Sequence, residues 1–353
     1  MIVAKDCYAH LAVLYENIES LKTYSTEISV KDKCGRSPLH LICSRASGSI
    51  PSRTLSVKNI FTADLTPLEV AIRKGHIDIV KILLSNNAEL ITSSKDGVTC
   101  SHLAAAGGHD EILKILYQKG ADFNVENQAG QRPLHYATLN NQLSTVKLLI
   151  NKHAKLSLKD VNNMTPLDYA AGRGYLEIYK IMVERSENFL DVKRSLIYAA
   201  KRGENVIVKY LVTERKVDVN FQHNGKASLH YASENGHFDV VKFLVKRGAE
   251  VNKQEDKTLL TALHYAGSRG FLKIIKFLID NGANSNLRDK QGKTCLHYSV
   301  IFGNVEVVKY LTEKVEDVNA ADAEGETPIF LAEKYKRDLV LEYLRNIKDK
   351  KNC

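Results

Sequence analysis

Thr66-Pro67-Leu68, Thr165-Pro166-Leu167 and Leu229-His230-Tyr231-Ala232 are samples of one short pattern, Thr-Pro-Leu-His, that returns along the 353-residue chain. Its first position falls at Cys7, Ser37, Thr66, Thr99, Arg132, Thr165, Arg194, Ala227, Thr261, Thr294 and Thr327. The intervals are 30, 29, 33, 33, 33, 29, 33, 34, 33 and 33 residues. Seven of the ten are 33 or 34, too regular for chance. Such a period predicts a stack of one repeated supersecondary unit, not the two or three globular domains that length alone would suggest.

Each recurring residue has a mechanical use. Thr suits a helix N-cap, where its hydroxyl accepts from an orphan backbone N–H. Pro follows at the first helical position and forfeits no hydrogen bond there. The Leu, with small pairs such as Ala104-Ala105 and Ala199-Ala200, faces neighbouring helices and lets them approach. Nine residues past the Thr slot stands a helix-ending Gly, at 75, 108, 174, 203, 236, 270 and 303. Apolar spacing in Ile79-Val80…Leu83-Leu84 and Val240-Val241…Leu244-Val245 then predicts a second helix. Gly120, Gly248 and Gly282 close it, with Asn87 in the same role.

Period and pattern resemble those of the ankyrin-repeat family from about Cys7 to Arg345. The resemblance implies an all-α solenoid of about ten to eleven helix–turn–helix units with hairpin-like loops, each unit covering apolar surface its neighbour cannot bury alone. At 8–10 Å between helices the stack is expected to form a curved rod of about 90 Å. Within one array over 1–353 we expect a capping unit at 1–36 and an irregular repeat at 37–65. Repeats follow at 66–193 and 194–326, then a capping repeat at 327–345 and a frayed basic tail at 346–353. The last apolar slot of the second helix holds Leu84, Tyr117, Ile150, Val183, Val212, Val245 and Ile279, but Ser25, Thr312 and Arg345 near the ends. Those three are expected to face water. The rhythm breaks at 44–63, around Gly48-Ser49-Ile50-Pro51-Ser52-Arg53, and at 184–193, where four residues are missing and a tighter turn is expected.

Composition agrees with a folded chain: 44% hydrophobic and 26% charged residues exclude intrinsic disorder. No leader-like stretch opens the sequence, and no apolar run approaches the eighteen residues of a membrane span. The six cysteines, at 7, 34, 43, 100, 295 and 353, show no paired spacing. Free thiols and a cytoplasmic location are therefore expected. The formal charge of +9 points to acidic partners.

Catalytic and metal chemistry find no purchase in the pattern. His10, His40, His102, His135, His230, His264 and His297 fill the fourth slot of the tetrapeptide, and His76, His109 and His237 follow the helix-ending Gly. The fourth-slot imidazoles are expected to tie adjacent turns to backbone. A zinc site needs ligands on one helical face, and these histidines lie a repeat apart. Gly292-Lys293-Thr294 looks like the end of a phosphate loop, but position 287 is Leu where that loop needs Gly. Asn163-Met164-Thr165 is a sequon whose Thr is already an N-cap. We expect no enzyme, no cofactor and no metal.

In the resembled family, recognition uses hairpin tips as fingers and first helices as a palm. Palm positions fall seven and eight residues after each Thr slot, and finger positions four, three and one before it. The palm reads Arg73-Lys74, Ala106-Gly107, Leu139-Asn140, Gly172-Arg173, Lys201-Arg202, Glu234-Asn235, Ser268-Arg269, Ile301-Phe302 and Lys334-Tyr335. Five of these nine pairs carry Lys or Arg and one carries an acid, so the palm is a candidate basic stripe. Finger positions add Lys193, Lys226 and Lys293. The candidate binding set is Arg73, Lys74, Arg173, Lys193, Lys201, Arg202, Lys226, Arg269 and Lys293, with Ile301 and Phe302 as apolar anchors. The expected partner is an acidic protein segment bound on the concave face of a monomeric adaptor. Leu-His-Tyr-Ala runs at 134–137, 229–232 and 263–266 also resemble the repeat portion of latrotoxins, which would imply a secreted toxin acting at membranes. Nucleic acid is disfavoured, since the palm interleaves only Phe302 and Tyr335 with its cations.

Overall fold

The computed structural model describes residues 67–351 except 86–87, 89, 91–95 and 187–188. The expectations for 1–36, 37–65, the irregular stretch at 44–63, Ser25 and Asn87 fall outside those residues. Among the described residues, eighteen helices alternate in pairs. The first pairs are α1 Pro67–Lys74 with α2 Ile77–Ser85, α3 Cys100–Gly107 with α4 Asp110–Gln118, and α5 Pro133–Leu139 with α6 Leu143–Asn151. Next come α7 Pro166–Gly172 with α8 Leu176–Glu184, and α9 Phe189–Arg202 with α10 Asn205–Thr213. The last four pairs are α11 Ser228–Glu234 with α12 Phe238–Lys246, α13 Ala262–Arg269 with α14 Leu272–Asp280, α15 Cys295–Ile301 with α16 Val305–Thr312, and α17 Pro328–Lys334 with α18 Asp338–Lys351. A two-residue ladder, β1 Gln222–His223 against β2 Lys226–Ala227, is the described strand pairing.

Where the fourth slot holds a histidine, that residue starts the first helix as much as the Thr slot does. In the Thr261 repeat, His264 Nδ1 accepts from the Thr261 backbone N–H at 3.1 Å, and its Nε2 lies 3.2 Å from the Lys293 carbonyl of the next hairpin. The carbonyl can only accept, so Nε2 carries the proton and Nδ1 is the acceptor. The same bridge recurs at His102 to Gln131, His135 to Met164 and His230 to Lys253. This explains why Arg132 and Ala227, poor N-caps, can stand in the Thr slot: His135 and His230 bond their N–H groups at 3.1 Å. At Thr165 the carboxylate of Asp168 takes the role, accepting from the Thr165 N–H at 2.9 Å.

The turn between helices of a pair needs left-handed backbone. Gly203 has φ +80°, and a Cβ there would lie 2.5 Å from His237 Nδ1 of the next repeat, so both conformation and space demand Gly. Where the slot lacks Gly, Asn141 and Lys336 still adopt φ 57° and 53°. The core is the apolar set between stacked pairs, including Ala104, Ala105, Leu134, Leu196, Ala199, Ala200, Leu263 and Leu278, all at most 2% exposed.

The described chain forms two compact units. One runs to Tyr169 and includes Lys180–Ser186; the other holds Ala170–Tyr179 and everything from Glu187 onward. Both are built from the same helix pairs, so the chain is an all-α repeat solenoid.

Three expectations need correction. The boundary at 194 falls inside α9, which begins at Phe189. No proline or turn residue interrupts 189–193, and Ser195 Oγ bonds the Asp191 carbonyl at 2.9 Å while Arg194 pairs with Asp191 at 3.8 Å, so the missing hairpin is replaced by extra helical turn. Thr312 does not face water: it is 9% exposed, with its Oγ1 3.1 Å from the Tyr343 hydroxyl of α18. Arg345 is exposed, as expected. The segment expected to fray stays helical to Lys351, since neither Gly nor Pro interrupts it.

Candidate functional site

Helix ends and hairpin bases position the predicted cations, and they do so in two ways. Arg173, Lys201, Arg202 and Arg269 lie at or just past the C-terminal ends of first helices in the second unit and are exposed. None of the four forms an ion pair among the described residues. The aliphatic stem of Arg202 passes 3.6 Å from the place a Cβ on Gly172 would occupy, which sets it beside Arg173. Lys201 has its Nζ 5.9 Å from the Tyr231 ring, and its carbonyl lies 3.0 Å from His237 Nε2 of the following repeat. Arg73 and Lys74, exposed at the end of α1, belong to the other unit.

The finger-base lysines behave differently. Lys293 is 8% exposed and reaches Asp322 Oδ2 at 2.7 Å. Burial works against its charge, but the Asp322 carboxylate outweighs that and raises its pKa. Asp322 in turn accepts the Glu324 and Glu326 N–H groups at 2.9 Å, so Lys293 clamps the carboxylate that shapes the next hairpin. Lys226 sits 3.4 Å from Glu234 and 3.6 Å from Glu255, with its Nζ 4.1 Å from the Tyr265 ring. Lys193 is half-buried, 5.8 Å from the Phe221 ring. Lys293 is thus buried in an ion pair inside the array, and Lys226 braces two carboxylates there.

A groove of about 200 Å³ opens on the first-helix face of the second unit, lined by Glu234, Leu260, His264, Tyr265, Ser268, Arg269, Tyr298 and Phe302. Phe302 is 54% exposed at the end of α15, while the neighbouring Ile301 is half-buried. Tyr265 donates to Glu255 Oε2 and Tyr298 to Asp289 Oδ2, each at 2.6 Å, so both rings are fixed. Burial pushes both phenols above their usual range, and the carboxylates they bond push further. Burial also holds His264 down to about 4, keeping it neutral. The wall is thus largely aromatic, with Arg269 and Glu234 as its charged residues.

Sequence reasoning marked Arg269, Ile301 and Phe302 but missed Leu260, Tyr265 and Tyr298. Their signal was present: both tyrosines follow a fourth-slot His, and each has an acid nine or ten residues upstream to hold its hydroxyl. It also missed that the residue after the helix-ending turn reaches back to the preceding first helix. Asn304 Nδ2 donates to the Gly267 carbonyl at 2.9 Å, and Arg337 Nε to Ile301 at 2.8 Å. No group of three or more His, Cys, Asp or Glu suited to a metal occurs among the described residues, and none of their helices is long and apolar enough to cross a membrane.

Stacked helix pairs of this kind define a helical repeat array, a class whose exposed faces serve recognition. A family model of ankyrin repeats in three copies matches residues 9–94, 101–194, 187–255 and 263–352. The chain belongs to the ankyrin-repeat family. It is similar to alpha-latrocrustotoxin-Lt1a of Latrodectus tredecimguttatus, with 45% identity over 65 residues, 18% of this chain and 5% of the toxin. It is also similar to palmitoyltransferase akr1 of Schizosaccharomyces pombe, 44% over 59 residues, 16% of this chain and 9% of that protein. With ankyrin repeat domain-containing protein 39 of Homo sapiens it shares 33% over 72 residues, 20% of this chain and 39% of the relative. Each match spans less than two fifths of the relative's own length. Ankyrin repeats are protein–protein interaction modules, and that much follows for this chain.

Proposed function

We propose that the chain is a non-catalytic adaptor that receives an acidic segment of a partner protein along the first-helix face of its second unit. The observation that carries this reading is the group Arg173, Lys201 and Arg202, three exposed cations on adjacent first-helix ends without an ion-pair partner among the described residues. Arg would hold carboxylates bidentately there. Cys100 and Cys295 are buried thiols outside any disulfide, which suits a reducing, cytoplasmic setting. The latrotoxin likeness covers about two repeats and supports a shared array, not toxin action.

Titrating a fluorescent peptide of alternating Glu and Ser into the full chain tests the reading. Binding should weaken severalfold as salt rises from low to physiological strength, because exposed charges are screened over about 8–10 Å there. Binding that ignores salt, or a stronger preference for a single-stranded oligonucleotide of equal charge, contradicts it.

A further inference from the structure

The groove beside Arg269 differs from the rest of the first-helix face in being walled by aromatic rings. Tyr265 and Tyr298 stand on consecutive first helices, α13 and α15, with Leu260 in the hairpin that precedes α13 and Phe302 at the end of α15. Close approach of the two helices makes the space what it is. A Cβ on Gly267 would lie 2.5 Å from Cys295 Sγ, so α13 and α15 pack closely.

Its polar atoms are largely spent. Ser268 Oγ donates to the Tyr265 carbonyl at 2.9 Å, and both tyrosine hydroxyls are bound to carboxylates. Glu234, on the opposite rim, is braced by Lys226 at 3.4 Å. Arg269 is left as the rim cation with no ion pair among the described residues. Pockets for small molecules typically occupy about 300–1,000 Å³. At about 200 Å³, this groove has room for one side chain.

We propose that this groove is the anchor site for the acidic segment, taking one aromatic or branched aliphatic side chain of the partner while Arg269 receives a carboxylate adjacent to it in sequence. The proposal rests on the acidic-segment reading and deepens it. The basic stripe attracts the segment, and the groove fixes its register. Anchors of this kind carry most of the affinity at interfaces when they enter a pocket that excludes water. The rings that would receive the anchor are already fixed by their carboxylates, so little ordering is left to oppose binding.

Three labelled decapeptides test it on the full chain by fluorescence anisotropy: alternating Glu and Ser with a central Phe, the same with Ala for Phe, and the Phe peptide with Gln for every Glu. The Phe peptide should bind at least about tenfold more tightly than the Ala peptide. Phe302→Ala should reduce that preference to less than about twofold. Phe302 is more than half exposed, so its thermal melt should stay unchanged. Arg269→Gln, also at an exposed position, should narrow the gap between Glu and Gln peptides. Equal affinity for Phe and Ala peptides overturns the anchor site, as does a Phe preference that survives Phe302→Ala. Self-association that Phe302→Ala abolishes would assign the groove to a second copy of the chain and also overturn it. Failure of the underlying reading is a separate result. Reversing Arg173, Lys201 and Arg202 would then leave the affinity for the Ala peptide unchanged. If none of the peptides binds, both are wrong.

Discussion

Lys226 and Lys293 on one side, and Arg173, Lys201, Arg202 and Arg269 on the other, are cations of the same unit with opposite fates. The first two precede a Thr slot, where the side chain reaches the acid that organises the next hairpin. The others close a first helix, where the side chain leaves the stack and meets solvent. At that place a cation also complements the helix dipole, a contribution of roughly 0.3–1 kcal/mol for an exposed group. Among these six cations, position within the repeat separates the paired charges from the unpaired ones.

That contrast can be broken by unfolding measurements. Lys293→Met should cost the most, about 3 kcal/mol in a urea titration, because it strands the fully covered Asp322 carboxylate without its counter-charge. Lys226→Met should cost about 1 kcal/mol, since its pairs are longer and the lysine keeps 22% of its side-chain exposure. Lys201→Ala and Arg202→Ala should each stay within about 0.5 kcal/mol. If the palm substitutions destabilise as much as Lys293→Met, the division between the two sets is wrong.

Acid sharpens the same division, because it acts on the clamps and not on the palm. Burial lowers the pKa of His102, His135, His230, His264 and His297, with His135 and His264 near 4. The unfolded chain binds these protons near pH 6.5 and the folded chain only at lower pH, near 4 for His135 and His264. Stability is therefore fully present above 6.5 and falls as pH drops from 6.5 to 4. Asp322, held below its ordinary value by Lys293 and by backbone N–H groups against the opposing effect of burial, adds loss only below about 3.8. A melting temperature that is flat from pH 7 to 4.5 would contradict the histidine bridges.

Much of this was legible in the sequence because it is periodic. The 33-residue spacing, the helix-ending Gly and the apolar slots each repeat often enough to average out local decay. The histidine's Nδ1 contact was less legible, since Thr in the cap slot offers a sufficient explanation until Arg132 and Ala227 are seen capped without it. The pairing of Lys293 was not legible because its partner, Asp322, lies 29 residues on and meets it only across the stack. The groove walls escaped notice for the same reason: Tyr265 and Tyr298 are 33 residues apart, and each alone looks like ordinary repeat packing. Start positions also resist reading where the pattern decays, as at α9, whose extra turn follows from missing hairpin residues.

The most direct test reverses the four palm charges together, Arg173→Glu, Lys201→Glu, Arg202→Glu and Arg269→Glu, and measures affinity for the Glu–Ser peptide with its central Phe alongside the thermal melt. The account predicts at least about a hundredfold loss of affinity, since each reversal replaces attraction by repulsion. It predicts a melting temperature within a few degrees of the parent, because exposed substitutions away from caps and core cost little. Unchanged affinity in a protein that melts as before would contradict it and leave the palm a solvated face.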